Sequence, residues 1–365
     1  MKAGKSLKVL LRIAVLLIVV LSILYYTGNR VKENNLLEAP VKQGTAVPVQ
    51  NKGLGEVISH TSRPSKGLST FVGGSAEELL KEKGKPDRIE PSGYGYDWWV
   101  YLEDEKFMAG VTDGSIVNQL YSAELTADVT PFEIGQDISD IYRFTIVESE
   151  INVEIGENTY TFSLNSEDLQ TRLLIIYKGL YAQLYIDAIN GKLEAIRFID
   201  PTTLVLHQPY EMTFTGKLLV AQRPSSTVQQ DVDRTAERQI FELTNSYRKK
   251  HGVQELRDNK ILNKLGREHS EKLALEKYLS GDSLTSPSFA DRLKVSMIEQ
   301  RKAGENIASD YTDAIEAVHG WHNSPAHRKI LLDEDFTHLG VGAYGNVYTQ
   351  NFVLLIEEDI EERRK

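Results

Sequence analysis

The amino-acid sequence predicts an α+β protein with two folded domains behind an N-terminal transmembrane helix. Three observations predict it. An uncharged run, Ile13–Tyr26, follows the basic residues Lys2, Lys5, Lys8 and Arg12. Between residues 67 and 219 a short helix followed by a strand meander occurs twice. After a polar linker, amphipathic helices then precede a pair of strands.

The N-terminal element follows from hydropathy and charge. Counted from Val9 to Tyr26, the apolar stretch is 18 residues long, close to the about 17–25 residues that span a bilayer. Tyr25 and Tyr26 suit an interfacial aromatic belt. Residues 1–45 carry seven Lys/Arg against two Glu, a charge of +5, so the remainder of a chain of net charge −10 carries −15. The basic end is expected to stay in the cytoplasm and send the rest outside. Residues 1–28 therefore read as a basic end and signal-anchor, with residues 9–26 as the membrane partner. A cleaved signal, and hence secretion, is the alternative, but the stretch after the run has no clear small-x-small site. Residues 29–66 hold Pro40, Pro48 and Pro64 with several glycines and show no helix or strand period, so they read as a flexible stalk.

Residues 67–219 read as an α+β repeat domain. Ser75 can cap a helix over 75–83, Glu77 and Glu78 suit its first turn, and Gly84 with Pro86 stops it. Strands at 94–101, 107–111 and 116–120 follow, the last after the Asp113-Gly114 turn. Phe132-Glu133-Ile134-Gly135-Gln136 echoes Phe71-Val72-Gly73-Gly74-Ser75, and Asn190-Gly191 before 193–199 echoes Asp113-Gly114. Two tandem units in one domain are expected. Trp98 and Trp99 suit a ligand platform, or more simply core positions on a strand.

Residues 220–234 read as a linker and 235–357 as a second domain, ending in a charged tail over 358–365. Helices are expected at 236–251, 259–278 and 312–321, and strands at 338–344 and 346–356 about the Gly345-Asn346 turn. Zero cysteines exclude disulfides, thiolate zinc sites and cysteine nucleophiles. The acidic balance argues against nucleic acid.

Four motifs in this last region carry a resemblance: Asn245-Ser246-Tyr247-Arg248 with Gly252, then Ala303-Gly304-Glu305-Asn306-Ile307-Ala308, then Gly320 to Arg328 (GWHNSPAHR), and Leu339-Gly340-Val341-Gly342 with Tyr348-Thr349-Gln350-Asn351-Phe352. In this order they resemble the CAP superfamily of cysteine-rich secretory, antigen 5 and pathogenesis-related proteins, in its disulfide-free bacterial branch. The preceding region resembles, by weaker motifs, the CAP-associated domain of membrane-anchored Gram-positive proteins. The resemblance implies an α-β-α sandwich for residues 235–357. It also implies a cleft with two His and two Glu, of which Glu305 and His327 match one each. Gly281 stands where the other histidine is usual, and the second Glu position falls near Asn323-Ser324. A metal held by the two histidines is accordingly doubtful, His327 being its one matching ligand, and the cofactor is left unknown.

The residues also speak for themselves. A Glu and a His delivered from separate loops can share a cleft for acid/base or metal chemistry; the plainer alternative is a hydrogen-bonded Glu and a satisfied core His. Asn306, Trp321, His322 and Ser324 are the ligand-binding candidates around them, and His319, His322 and His327 form a possible substitute metal set. No serine has a G-x-S-x-G setting, and His269 reads as core-facing or half-buried. The leading expectation is an extracytoplasmic, non-enzymatic module that binds a peptide, lipid or cell-wall ligand. The alternatives are a metal-assisted hydrolase or protease using Glu305 and His327, and a structural or regulatory protein of envelope or sporulation events.

Overall fold

The computed structural model describes residues 12–19, 31–40, 44–46, 61–103, 106–280 and 287–356. Residues 12–19 are helical. Among the described residues no helix is long and apolar enough to cross a membrane; the rest of the 9–26 run, Gly281 and the charged tail lie outside them.

The expected stalk contributes three short strands, β1 (Val31–Glu33), β2 (Leu37–Glu38) and β3 (Thr45–Ala46). The first unit is α1 (Ala76–Lys83), capped by Ser75, then β4 (Arg88–Pro91), β5 (Tyr96–Tyr101), β6 (Phe107–Thr112) and β7 (Ile116–Ser122). The second is α2 (Ile138–Phe144), capped by Asp137, then β8 (Glu150–Ile155), β9 (Asn158–Ser163) and the single turn α3 (Asp168–Thr171). It continues with β10 (Arg172–Tyr177), β11 (Leu180–Asp187), β12 (Lys192–Ile199), α4 (Pro201–His207) and β13 (Glu211–Thr215). The two meanders fuse edge to edge through β12 and β7 into a seven-stranded sheet, β10-β11-β12-β7-β6-β5-β4. The internal echo is structural. Gly73 N–H donates to Val117 O and Gly135 N–H to Leu193 O, while Ser75 bridges Ile116 as Asp137 bridges Lys192.

The C-terminal domain is α5 (Ser226–Lys250), β14 (Arg257–Asp258), α6 (Lys260–Ser280), α7 (Phe289–Val295), β15 (Gln300–Ser309), α8 (Ala314–Asn323), α9 (Pro325–Leu331), β16 (His338–Tyr344) and β17 (Val347–Leu355). Helix α5 starts inside the expected linker, since Ser225 caps it and three polar turns, with no apolar stripe to read, continue into the periodic part. Alternation along β16 makes the sandwich. Leu339, Val341 and Ala343 join the core that contains Ile240 and Tyr247 of α5 and Ile315 of α8. Gly340 and Gly342 face α6 on the other side.

The two domains share one apolar core. Trp98, Tyr121 and Tyr185 of the repeat domain pack in the same cluster as Leu243, Ile315 and Trp321. Trp98 and Trp99 are buried, so the core reading applies to both rather than the ligand platform.

Candidate functional site

Strand β15 carries the Gly304-Glu305-Asn306 motif along one edge of the C-terminal sheet, and its two faces look in different directions. A Cβ on Gly304 would lie 3.0 Å from Ile330 and Phe336, and Asn306 Nδ2 donates to His327 O (3.1 Å) and Gln350 Oε1 (3.2 Å). These even positions face α9. Ala303 packs instead in the cluster with Leu262 of α6 and Leu293 of α7. Glu305 follows it: Oε1 accepts from Arg292 Nη2 (2.6 Å), and Oε2 lies 3.9 Å from His269 Nε2. Arg292 and His269 sit on α7 and α6, positions that a Glu–His pattern search passes over. Signals for them existed only as a basic residue in a short helix and a polar residue on an apolar face.

Glu305 is 1% exposed. Burial pushes its pKa up from the usual 4.5 to about 7, with Arg292 opposing the rise and Glu33 adding to it. Burial likewise lowers His269 to about 3, helped by Arg292 and Lys272, so this imidazole is neutral. A carboxyl raised by folding adds stability that is complete below about 4.5 and is lost as the pH climbs through about 7. The Glu33 contribution is directly testable. Glu33→Gln keeps an acceptor for Phe289 N–H but removes a charge, so carboxyl NMR should show Glu305 titrating at lower pH. An unmoved titration would mean that Glu33 does not act on it.

His327 opens α9 after Pro325. Ser324 Oγ–H donates to its Nδ1 (2.8 Å), and its Nε2–H donates to Asn35 O (3.0 Å), the only polarity a carbonyl permits. Among the described residues no hydrogen bond joins His327 to Glu305. The two are linked by residues 33–35, which cross the edge of β15 between them. Asn34 N–H donates to Glu305 O (3.2 Å) and Asn34 Nδ2 to Asn306 Oδ1 (2.9 Å). Strands β1 and β2 pair in parallel with β15, Glu33 opposite Glu305 and Leu37 opposite Ala308. The segment expected as a free stalk thus lies along β15 between these two residues, because an open strand edge offers it backbone partners.

Motif GWHNSPAHR serves mostly to join the domains. Trp321 and His322 are each 0% exposed, as is Asn306. Trp321 is a core residue, packed where α8 meets the repeat domain. His319 meets the hydroxyls of Tyr121 and Tyr247 and stacks on Tyr185 at 4.0 Å. Asn323 exchanges two hydrogen bonds of 2.9 Å with the backbone of Ile186 and Ala188. Arg328 donates to both oxygens of Asp187 (3.0 and 2.9 Å). The expected His319–His322–His327 set is therefore dispersed: His319 meets Tyr185, His322 meets Asp187, and His327, on α9, meets Asn35.

His322 belongs to another cluster. Its ligand atom and those of Asp187 and His251 lie within 4.8 Å of one another. Arg328 fills their common space, with its Nη atoms 2.8 Å from His322 Nε2 and 3.1 Å from His251 Nε2. Burial, with Arg328 second, lowers the pKa of His322 to about 3, so this imidazole is neutral near pH 7. The cation these groups receive is a guanidinium, so the cluster does not fit a divalent ion.

Comparison with known proteins bears on the family and the fold. The CAP-associated N-terminal family matches residues 72–210, and the cysteine-rich secretory protein family, CAP, matches residues 241–356. The chain is 39% identical over 292 residues to the uncharacterized membrane protein YlbC of Bacillus subtilis (strain 168), covering 80% of this chain and 84% of that one. A crystal structure of an extracellular SCP-domain protein from Bacillus anthracis superposes with a TM-score of 0.73 at 34% identity, over 84% of this chain and 99% of that one. A cysteine-rich secretory protein from Staphylococcus aureus, at 22% identity over 88% of this chain and 99% of that one, shares the fold with a TM-score of 0.72. The chain therefore belongs to the CAP superfamily, in the group whose CAP domain follows a CAP-associated N-terminal domain.

Proposed function

We propose that this chain is a membrane-anchored, extracytoplasmic binding protein without enzymatic activity, whose CAP cleft takes an extended peptide. One observation carries the reading: an extended segment, residues 31–39, already lies along β15 between Glu305 and His327. Anchoring draws support from the basic-flanked apolar run at residues 9–26 and from a relative described as a membrane protein.

A hydrolase reading has one point in its favour, a carboxyl at Glu305 raised to about 7 and so suited to proton transfer near neutrality. Against it stand the ion pair to Arg292 and the hydrogen bonds on both nitrogens of His327. The test is incubation of the full-length chain in detergent with cell-wall fragments and unstructured casein. Stable capture without new cleavage products is expected. Cleavage that disappears in Glu305→Gln would reverse the assignment.

A further inference from the structure

We propose that the edge of β15 is an acceptor for a carboxylate-bearing peptide strand running parallel to it, and that residues 31–39 are a built-in competitor for that place; this rests on the peptide-binding reading above. Without β1 and β2, β15 is an edge strand whose sheet partner among the described residues is β17 alone. Its outer backbone groups then need partners, as when peptides bind by strand addition.

The chain's own segment defines what fits. Glu33 Oε1 accepts from Phe289 N–H (2.8 Å), Asn34 supplies a carboxamide to Asn306 (2.9 Å) and Asn35 supplies a carbonyl to His327 (3.0 Å). Ala39 N–H then donates to Ser309 O (2.9 Å). Apolar side chains flank these: Val31 packs on the cluster of Leu262 and Phe289, and Leu36 on that of Leu273, Ile307 and Val347. A ligand of the same chemistry is an extended peptide bearing a carboxylate, then a carboxamide, between apolar residues.

The segment is also an imperfect occupant. Its strands are three and two residues long, and of residues 31–39 only Ala39 is buried. Such surface pairing opens at low cost. Beneath it, His269 Nδ1, Arg292 Nε and Arg292 Nη1 are buried without hydrogen-bond partners. Arg292 gives one N–H to Glu305 and keeps cationic capacity unused. A ligand carboxylate that reaches it forms a charge-assisted bond the internal segment does not make. Tethering favours the internal segment through effective concentration, so its displacement requires the better fit.

Displacement has a mechanical consequence if residues 9–26 are the anchor. Only residues 27–30 separate the anchor from Val31, a reach of about 17 Å at most when extended. The docked segment thus holds the CAP domain close to the bilayer. Releasing nine residues adds roughly 30 Å of reach.

The probe is a fluorescent peptide with the sequence of residues 29–40, NRVKENNLLEAP, titrated against the full-length chain in detergent and followed by hydrogen exchange. The Glu33→Ala/Asn34→Ala variant, whose changes lie at the surface, should bind the peptide at least about tenfold more tightly than the parent, because the competitor is weakened. A peptide with both glutamates replaced by glutamine should bind about tenfold less tightly to either protein, and Arg292→Gln should abolish that preference. Bound peptide should raise exchange in residues 31–39 of the parent while β15 stays protected. Equal affinity for parent and variant, or binding with residues 31–39 still protected, overturns the proposal while leaving the cleft a binding site. Dimerisation of the variant through exchanged segments, with no peptide bound, also overturns it. Failure of every peptide and wall fragment to bind removes both readings.

Discussion

Arg197→Ala is expected to cost about 3–5 kcal/mol of stability, the range for leaving a buried charge without its partner. Arg197 lies on β12 and is 0% exposed. Its Nη2 meets both oxygens of Asp313 (3.0 and 2.8 Å), and its Nη1 lies 3.1 Å from His207 Nδ1, whose other nitrogen contacts Tyr96 OH. Burial alone would drive the guanidinium toward neutrality, but Asp313, Tyr185 and Glu316 outweigh it and hold the charge. Asp313 caps α8 by accepting from Glu316 N–H (3.1 Å), so the pair fastens a CAP helix to the sheet of the other domain. Removing Arg197 leaves the carboxylate buried, where desolvation already raises its pKa above 3.8. The raised carboxyl adds stability only at low pH, and that contribution is lost as the pH rises. The deficit of the variant should therefore shrink on acidification from neutrality. Urea unfolding at pH 7 and pH 5 checks both statements. The Arg197→Ala/Asp313→Ala double variant should lose less than the sum of the singles, because the two side chains act as a unit. A loss below about 1 kcal/mol for Arg197→Ala would show that the pair does not hold the domains.

Gly342→Ala should be at least as damaging, for a steric reason. A Cβ at this position of β16 would overlap the backbone N of Arg267 and the backbone C and O of Gly266 in α6. At Gly340 it would overlap Leu262 and the backbone N of Asn263. Helix α6 crosses β16 so closely that backbone meets backbone, with Gly266 opposite Gly342. Ordinary overpacking costs about 1–3 kcal/mol because side chains yield; here the obstacle is main chain, so a loss above about 3 kcal/mol is expected in urea unfolding. Gly345→Ala is the control. That residue has φ +58 in the β16–β17 turn and nothing within 4 Å of a Cβ. Its cost should be near the about 1–2 kcal/mol of placing an L side chain in the left-handed region. If the two substitutions cost the same, close approach is not what the motif glycines provide.

Several elements were legible because their signals are local. Ser75 caps α1, as its position before two glutamates implies, since an N-cap acts on an amide two or three residues away. The Asn190-Gly191 and Gly345-Asn346 turns place β12 and β17 where the hydrophobic runs put them. The four ordered motifs sufficed to indicate the family, and the echo of Phe71–Ser75 in Phe132–Gln136 indicated a repeat, whose two meanders the structure joins in one sheet.

What the sequence did not reveal depends on partners far away in the chain. Residues 31–39 carry prolines and asparagines nearby and no strand period, and become strands only because β15, some 270 residues later, presents an open parallel edge. His319 and His322 looked like site residues by their motif. Their roles are set by Tyr185 and Asp187 on a sheet of the other domain. Glu305 and His327 were recognisable as a pair by type, yet alternation along β15 sends Glu305 toward α6 and α7, away from the α9 side where His327 sits. By itself the sequence determined the family and the caps and turns of the elements it showed, which are written in neighbouring residues, while the strand that carries Glu305 read as a loop. Only the tertiary structure decided which side chains fasten the domains and what lies in the cleft, because those outcomes rest on desolvation and backbone pairing between segments that meet only once the chain has folded.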